Sequence, residues 1–146
     1  MTIGIGNDHV GYGLKLEIKA YLEQKGYRVT DFGADSPQSA DYPVYAEKVA
    51  NAVVAGDVEA GILICGTGIG ISIAANKVKG IRCAACSESY SARMAKQHNN
   101  ANILAFGARV VGVEVAKMMV DEWLESAYEP RHTARLNMIA ALEEKD

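Results

Sequence analysis

One thiol stands where it could do chemistry. Cys65 ends the continuous apolar run Gly61-Ile62-Leu63-Ile64-Cys65 and opens the segment Gly66-Thr67-Gly68-Ile69-Gly70, which leads into a helical pattern. Such a run reads as a strand covered on both faces, so the thiol lies at a strand end facing a helix N-terminus. Thiolate is favoured there and acts as base or nucleophile. The competing reading is a small buried hydrophobe, as most intracellular cysteines are; position, rather than residue type, favours the functional one.

Gly66, Gly68 and Gly70 alternate, which lets the backbone approach a ligand and turns N–H groups toward one point. That arrangement holds a phosphate or a developing oxyanion. No Gly-Lys-Ser/Thr follows, so this is not a P-loop, and neither the spacing nor the place after a third strand suits a dinucleotide fingerprint. Acid–base candidates flank it in sequence. Asp8 and His9 follow the first strand, and His98-Asn99-Asn100 precedes the last; imidazole titrates near neutral pH. These groups and Cys65 are expected at one sheet edge. Arg131 and Arg135 lie one helical turn apart and point to one side, suiting either a phosphate or a solvated face. His132 reads equally as a phosphate ligand or a solvated residue at a helix start.

Cys83 and Cys86 spell Cys-x-x-Cys, which invites a redox or zinc reading. Residues three apart in a strand face opposite sides, so the two thiols diverge, and no second pair completes a zinc site. Both are read as structural. No spacing of His, Cys and carboxylates converges on one helix face or loop, so no metal and no cofactor is expected.

The elements that must hold these groups alternate between strand and helix periods. Thr2 to Gly6 reads as a strand; Leu14, Ile18, Tyr21 and Leu22 fall at helical spacing, and Gly26 closes that helix. Tyr27 to Asp31 is a second strand and Gly33 to Asp41 a surface loop. Tyr42 to Ala55 is a helix with Asp41 as N-cap and Pro43 in its first turn. Further strands fall at Ile81 to Cys86 and Asn102 to Phe106. Further helices run from Glu88 to about Gln97 and from Glu114 to Ser126, the latter with Val115, Met118, Met119 and Leu124 near one apolar stripe, and a last helix starts at Pro130. This order predicts an α/β fold, a three-layer, doubly wound, Rossmann-like sheet of five parallel strands with helices on both faces and a C-terminal helical tail, in one domain over 1–146. Ligands of such sheets sit beyond the C-terminal strand ends.

Bulk properties narrow the classes. The chain has 146 residues, 49% hydrophobic and 23% charged, with a net charge of -3. That balance is ordinary for a soluble globular protein and lacks the basic excess of a nucleic-acid binder. No apolar run approaches the roughly 18 to 20 residues of a membrane span, and no signal peptide is visible. The odd count of cysteines, Cys65, Cys83 and Cys86, fits reduced thiols in the cytoplasm.

Taken together, Asp8-His9, Asp41-Tyr42-Pro43, Ile64 through Gly70, Ser72 through Lys77, Gln97-His98-Asn99 and Asn102 through Arg109 resemble the type B ribose-5-phosphate isomerase family, which also contains allose-6-phosphate and galactose-6-phosphate isomerases. Nearly the whole chain is covered, in motif order. The resemblance implies that Cys65 is the general base moving a proton between C2 and C1 through a cis-enediolate. Backbone N–H groups from Gly66 to Gly70, Ile69 included, hold the enediolate oxygen, and Thr67 positions that end of the sugar. His98 assists ring opening. Asp8 and Asn99 bind hydroxyls, Tyr42 belongs to the substrate site, and His9, Arg109, Arg131 and Arg135 surround the phosphate.

The family's site is shared between two subunits, which implies a homodimer or a dimer of dimers. One branch carries Glu in the helix after the glycine loop and lacks the Cys; here that position is Ile71 and Cys65 is present, so the chain is similar to the cysteine branch. The stretch Glu129-Pro130-Arg131 is a residue shorter than in some relatives. A phosphorylated hexose is the alternative substrate. A nucleotide-binding regulatory domain and a cysteine-dependent hydrolase or redox protein are the readings from other classes.

Overall fold

Alternation within the first strand explains much of the packing. In the computed structural model, which describes residues 1–145, β1 (Thr2–Asn7) sends Ile3 and Ile5 to one face and Gly4 and Gly6 to the other. The chain continues through α1 (Tyr12–Gln24), β2 (Arg28–Asp31), α2 (Tyr42–Ala55), β3 (Ala60–Cys65) and α3 (Ile69–Ala75). It ends with β4 (Cys83–Ala85), α4 (Ser89–Gln97), β5 (Ile103–Gly107), α5 (Val113–Glu125), a 3-10 turn at Pro130–His132 and α6 (Thr133–Leu142). All pairings are parallel, in the order β2-β1-β3-β5-β4.

Two cores follow from the period of two. Ile62 and Ile64 of β3 join Ile18 and Leu22 of α1, Ala92 of α4 and Trp123 of α5 on one side. Leu63 and Cys65 turn to the other side, under Val49 of α2 and Ile71 of α3. A β-carbon on Gly6 or Gly61 would stand 2.8 or 2.6 Å from Val49, so the missing side chains let α2 lie close on the sheet. Cys83 packs in the second core and Cys86 against the first, as the strand period required. Burial pushes their thiols up to about 12 and about 11, with Cys86 and Glu88 respectively adding to the effect.

Local signals set most boundaries. After α1, the N–H of Tyr27 donates to Leu22 O at 3.0 Å and that of Gly26 to Glu23 O, with Gly26 at φ +95; this is a Schellman closure. The α5 stripe differs from the sequence reading. Ala116, Met119, Val120 and Trp123 are buried, whereas Val115 and Met118 face outward. The spacing of the buried set satisfies the helical period better, and the Trp123 indole N–H finds Ala101 O at 3.0 Å. Largely apolar α6 buries none of its residues.

Lys15 is 1% exposed. Its ammonium donates to both Asp31 oxygens at 3.0 Å and to Ala34 O at 2.8 Å, tying α1 to β2 and to the loop that follows. Burial pushes the Asp31 carboxyl up, but the Gly33 N–H, the Lys15 ammonium and Lys19 outweigh it and hold it below the usual carboxylate range. A depressed carboxyl contributes stability above its unfolded pKa of about 4, and that contribution is lost as pH falls through the folded value. Lys15→Met should therefore cost about 3 kcal/mol at neutral pH, because it leaves a shielded carboxylate without its main partner. Urea unfolding should show that loss at pH 7, and a flatter fall in stability below about pH 4 than in the unmodified chain.

Candidate active site

From β1 the chain passes to β2 on one side and then crosses to β3 on the other, so the strand order reverses between β1 and β3. A cleft of about 980 Å³ opens there, beyond the C-terminal strand ends. Asp8, His9, Tyr42, Cys65, Thr67 and Arg109 line it, with Gly66, Ile69 and Gly70 in its wall.

The glycine loop is pressed onto the end of β5. Gly68 has φ +79, and a β-carbon on it would meet the Phe106 backbone at 2.7 Å; one on Gly107 would meet Thr67 at 2.5 Å. Two glycines facing each other thus bring the start of α3 directly over β5. Cys65, 4% exposed, accepts the Gly68 N–H on its Sγ at 3.2 Å, and Thr67 Oγ1 accepts the Ile69 N–H at 3.2 Å. The sulfur is held at the cleft floor beside the N–H groups of a helix start. The Tyr42 ring covers Gly70, where a β-carbon would come within 2.7 Å of it.

Polar groups complete the cleft. Asp8 accepts the Gly11 N–H on Oδ1 at 3.0 Å, leaving its second oxygen without a partner among the described residues. His9 Nδ1 lies 3.2 Å from the Ala40 N–H and 3.3 Å from Ala40 O, accepting from the one or donating to the other according to its tautomer. The backbone N–H of Arg109 donates to Gly66 O at 3.0 Å, while its side chain lies 3.8 Å from the place of a Gly66 β-carbon. The cleft thus combines a thiol, the N–H groups of a helix start, a carboxylate with one oxygen unengaged among the described residues, and a guanidinium of the kind that suits phosphate.

Four expected residues are elsewhere. His98 caps the C-terminal end of α4, ahead of β5, and β5 runs parallel to β3 with Gly107 paired to Cys65. His98 therefore belongs to the opposite sheet edge, roughly 15 Å from the cleft at the rise of a strand. The expectation of one shared edge is corrected: residues before a parallel strand and residues after its neighbour lie at opposite ends. Asn99 lines a separate recess of about 320 Å³ with Asn76, Arg82 and Ile139. Arg131 is exposed and paired with Glu129 at 3.0 Å, and Arg135 is exposed on α6.

His132, buried, stacks on His98 with ring centroids 4.5 Å apart. Burial, then the charges of Arg131 and His98, push its imidazole below the usual histidine range.

Sequence reading missed other cleft residues. Ser39, Ala40 and Asp41 line it from a loop without periodic signal, and Val44 from the first turn of α2. Asp41 does precede α2, but its side chain makes no capping bond; the only usable signal was its place in Asp41-Tyr42-Pro43.

The profile of the family described as Ribose/Galactose Isomerase matches residues 3–139. The chain is 56% identical over 144 residues to ribose-5-phosphate isomerase B of Escherichia coli, covering 98% of this chain and 97% of the other. It is 46% identical to a D-erythrulose-4-phosphate isomerase of Pectobacterium atrosepticum, over 88% and 86% of the two chains. The solved structure of Clostridium thermocellum ribose-5-phosphate isomerase B superposes with a TM-score of 0.97 at 54% identity, over 99% and 98% of the chains.

Proposed function

This chain belongs to the ribose/galactose isomerase family, and we propose that it interconverts ribose 5-phosphate and ribulose 5-phosphate as a cofactor-free aldose–ketose isomerase. The observation that carries the reading is Cys65, its sulfur fixed by the Gly68 N–H at the floor of a cleft that also holds Asp8 and Arg109. Membership of the family leaves no role for a nucleotide-binding domain.

Cys65 as thiolate takes the proton from C2 while the C1 oxygen gains charge. A cis-enediolate forms, its oxygen stabilised by the N–H groups at the start of α3. The O2 proton passes to O1, and the thiol returns its proton to C1. Thr67 and Asp8 orient this end of the sugar; His9 and Arg109 bind the phosphate.

His98, Asn99, Arg131 and Arg135 complete the site from the partner subunit of a homodimer. Their place at the opposite sheet edge supports this, because a twofold axis brings one chain's first edge against the other's second, twice over. The exposed Met138, Ile139 and Leu142 of α6 supply apolar surface for association, within a dimer or a dimer of dimers. No helix among the described residues is long and apolar enough to cross a membrane; the three free cysteines support a cytoplasmic setting.

The test is turnover of ribose 5-phosphate beside erythrose 4-phosphate, allose 6-phosphate and galactose 6-phosphate, with formation of the matching ketose as readout. Ribose 5-phosphate should be the preferred substrate; no isomerisation of any of them would end the proposal. His98→Asn refines it. Ribose 5-phosphate closes a furanose ring through O4, whereas erythrose 4-phosphate has that oxygen esterified and stays open. Loss of a ring-opening acid–base group should cost about a hundredfold or more in kcat/KM on ribose 5-phosphate and little on erythrose 4-phosphate. Equal losses on both would remove ring opening from His98.

A further inference from the structure

The second sheet edge holds a cluster that proton transfer alone does not account for. One ligand atom each from His98, Glu129 and His132 lies within 4.8 Å of the others. They come from two segments joined by the Glu129 N–H to Gln97 O bond at 2.9 Å, which is why sequence spacing offered no metal set. His132 is 9% exposed, and its Nε2 is buried without a hydrogen-bond partner among the described residues. A buried ring nitrogen left unpaired has lost its water for nothing in return.

We propose that His98, Glu129 and His132 form a binding site for a zinc-like divalent transition ion, and that its occupation inhibits the isomerase by withholding His98 from the sugar. Two imidazoles and one carboxylate with a fourth position open to water is a set zinc accepts. Ligand atoms around tetrahedral zinc stand roughly 3.3 Å apart, so the cluster must close by a small rotation of the half-exposed His98 and Glu129 side chains. Glu129 must also leave Arg131, an exposed pair whose loss costs little. Arg131 and Arg135 oppose the ion's charge and bias the site toward ions that bond strongly to imidazole nitrogen, over magnesium or calcium. The binding half of the proposal stands on these residues alone; the inhibitory half rests on the isomerase reading and on His98 serving the partner's cleft.

Titration of chelator-treated protein with zinc by calorimetry, in buffer without phosphate, should give one ion per chain. Glu129→Gln, which alters an accessible side chain, should weaken binding by more than about tenfold, and His132→Gln likewise; Cys83→Ser should not change it. Cobalt in place of zinc should give the visible bands of a tetrahedral nitrogen–oxygen site without sulfur charge transfer. Absence of binding, equal binding in Glu129→Gln, or a sulfur charge-transfer band would overturn the site. In the activity assay zinc should inhibit reversibly, and Glu129→Gln should need about tenfold more zinc for the same inhibition. Unchanged zinc sensitivity in Glu129→Gln would overturn the inhibitory role. Binding is read without any sugar, so it stands or falls separately from the identity of the substrate.

Discussion

Cys65→Ala should retain the fold and lose about a thousandfold or more in kcat on ribose 5-phosphate, with KM nearly unchanged. The base acts on the transition state, whereas the ground-state contacts of the cleft, Asp8, Thr67 and Arg109 among them, remain. The stability cost is small: Sγ is a single heavy atom at the cleft floor, and its loss should cost about 1 kcal/mol. Cys65→Ser separates shape from proton affinity. The hydroxyl can accept the Gly68 N–H, yet it is a far poorer base than thiolate, so this variant should be comparably inactive.

Hydrogen exchange in heavy water sharpens the assignment. Ribulose 5-phosphate cannot close a five-membered ring, because its 5-oxygen is esterified, so exchange at its C1 needs the base and no ring opening. His98→Asn should still exchange that hydrogen, and Cys65→Ala should not. If Cys65→Ala exchanges C1 hydrogen at a rate near that of the unmodified enzyme, the thiol is not the base.

What could be read from the residue order was whatever is encoded locally. Pro43 falls in the first turn of α2, and the observed span, Tyr42–Ala55, is the one read from the residue order. Cys65 and its glycine loop were legible because strand end, thiol and helix start are consecutive. His98 was recognisable as chemistry but misplaced, since its distance from Cys65 depends on strand direction and order, which no short segment encodes. The pairing of His98 with His132 was invisible for a related reason: α5 must first return the chain so that Glu129 meets Gln97. In α5 itself, Met118 and Met119 are equally apolar, and only the packed position of Trp123 decides which of them is buried. The loop carrying Ser39 and Ala40 gave no signal because it has neither period nor reactive side chains.

Mixing two inactive variants should restore activity. In a dimer of one Cys65→Ala chain and one His98→Asn chain, one site receives both substitutions and the other receives neither, provided that each site takes Cys65 from one subunit and His98 from its partner. With free exchange half the dimers are mixed, so recovery should approach about one quarter of the unmodified activity per chain. Sites built within single chains would stay dead in every combination, because each chain carries a lesion. The structure favours recovery on physical grounds: within one chain β5 separates the two residues along its whole length, and no side-chain rotation spans that distance. Recovery should appear slowly, at the rate of subunit exchange, and brief unfolding and refolding of the mixture should bring it forward. A refolded mixture that stays at the level of the separate variants would mean that His98 and Cys65 never serve one substrate, and the shared site would have to be abandoned.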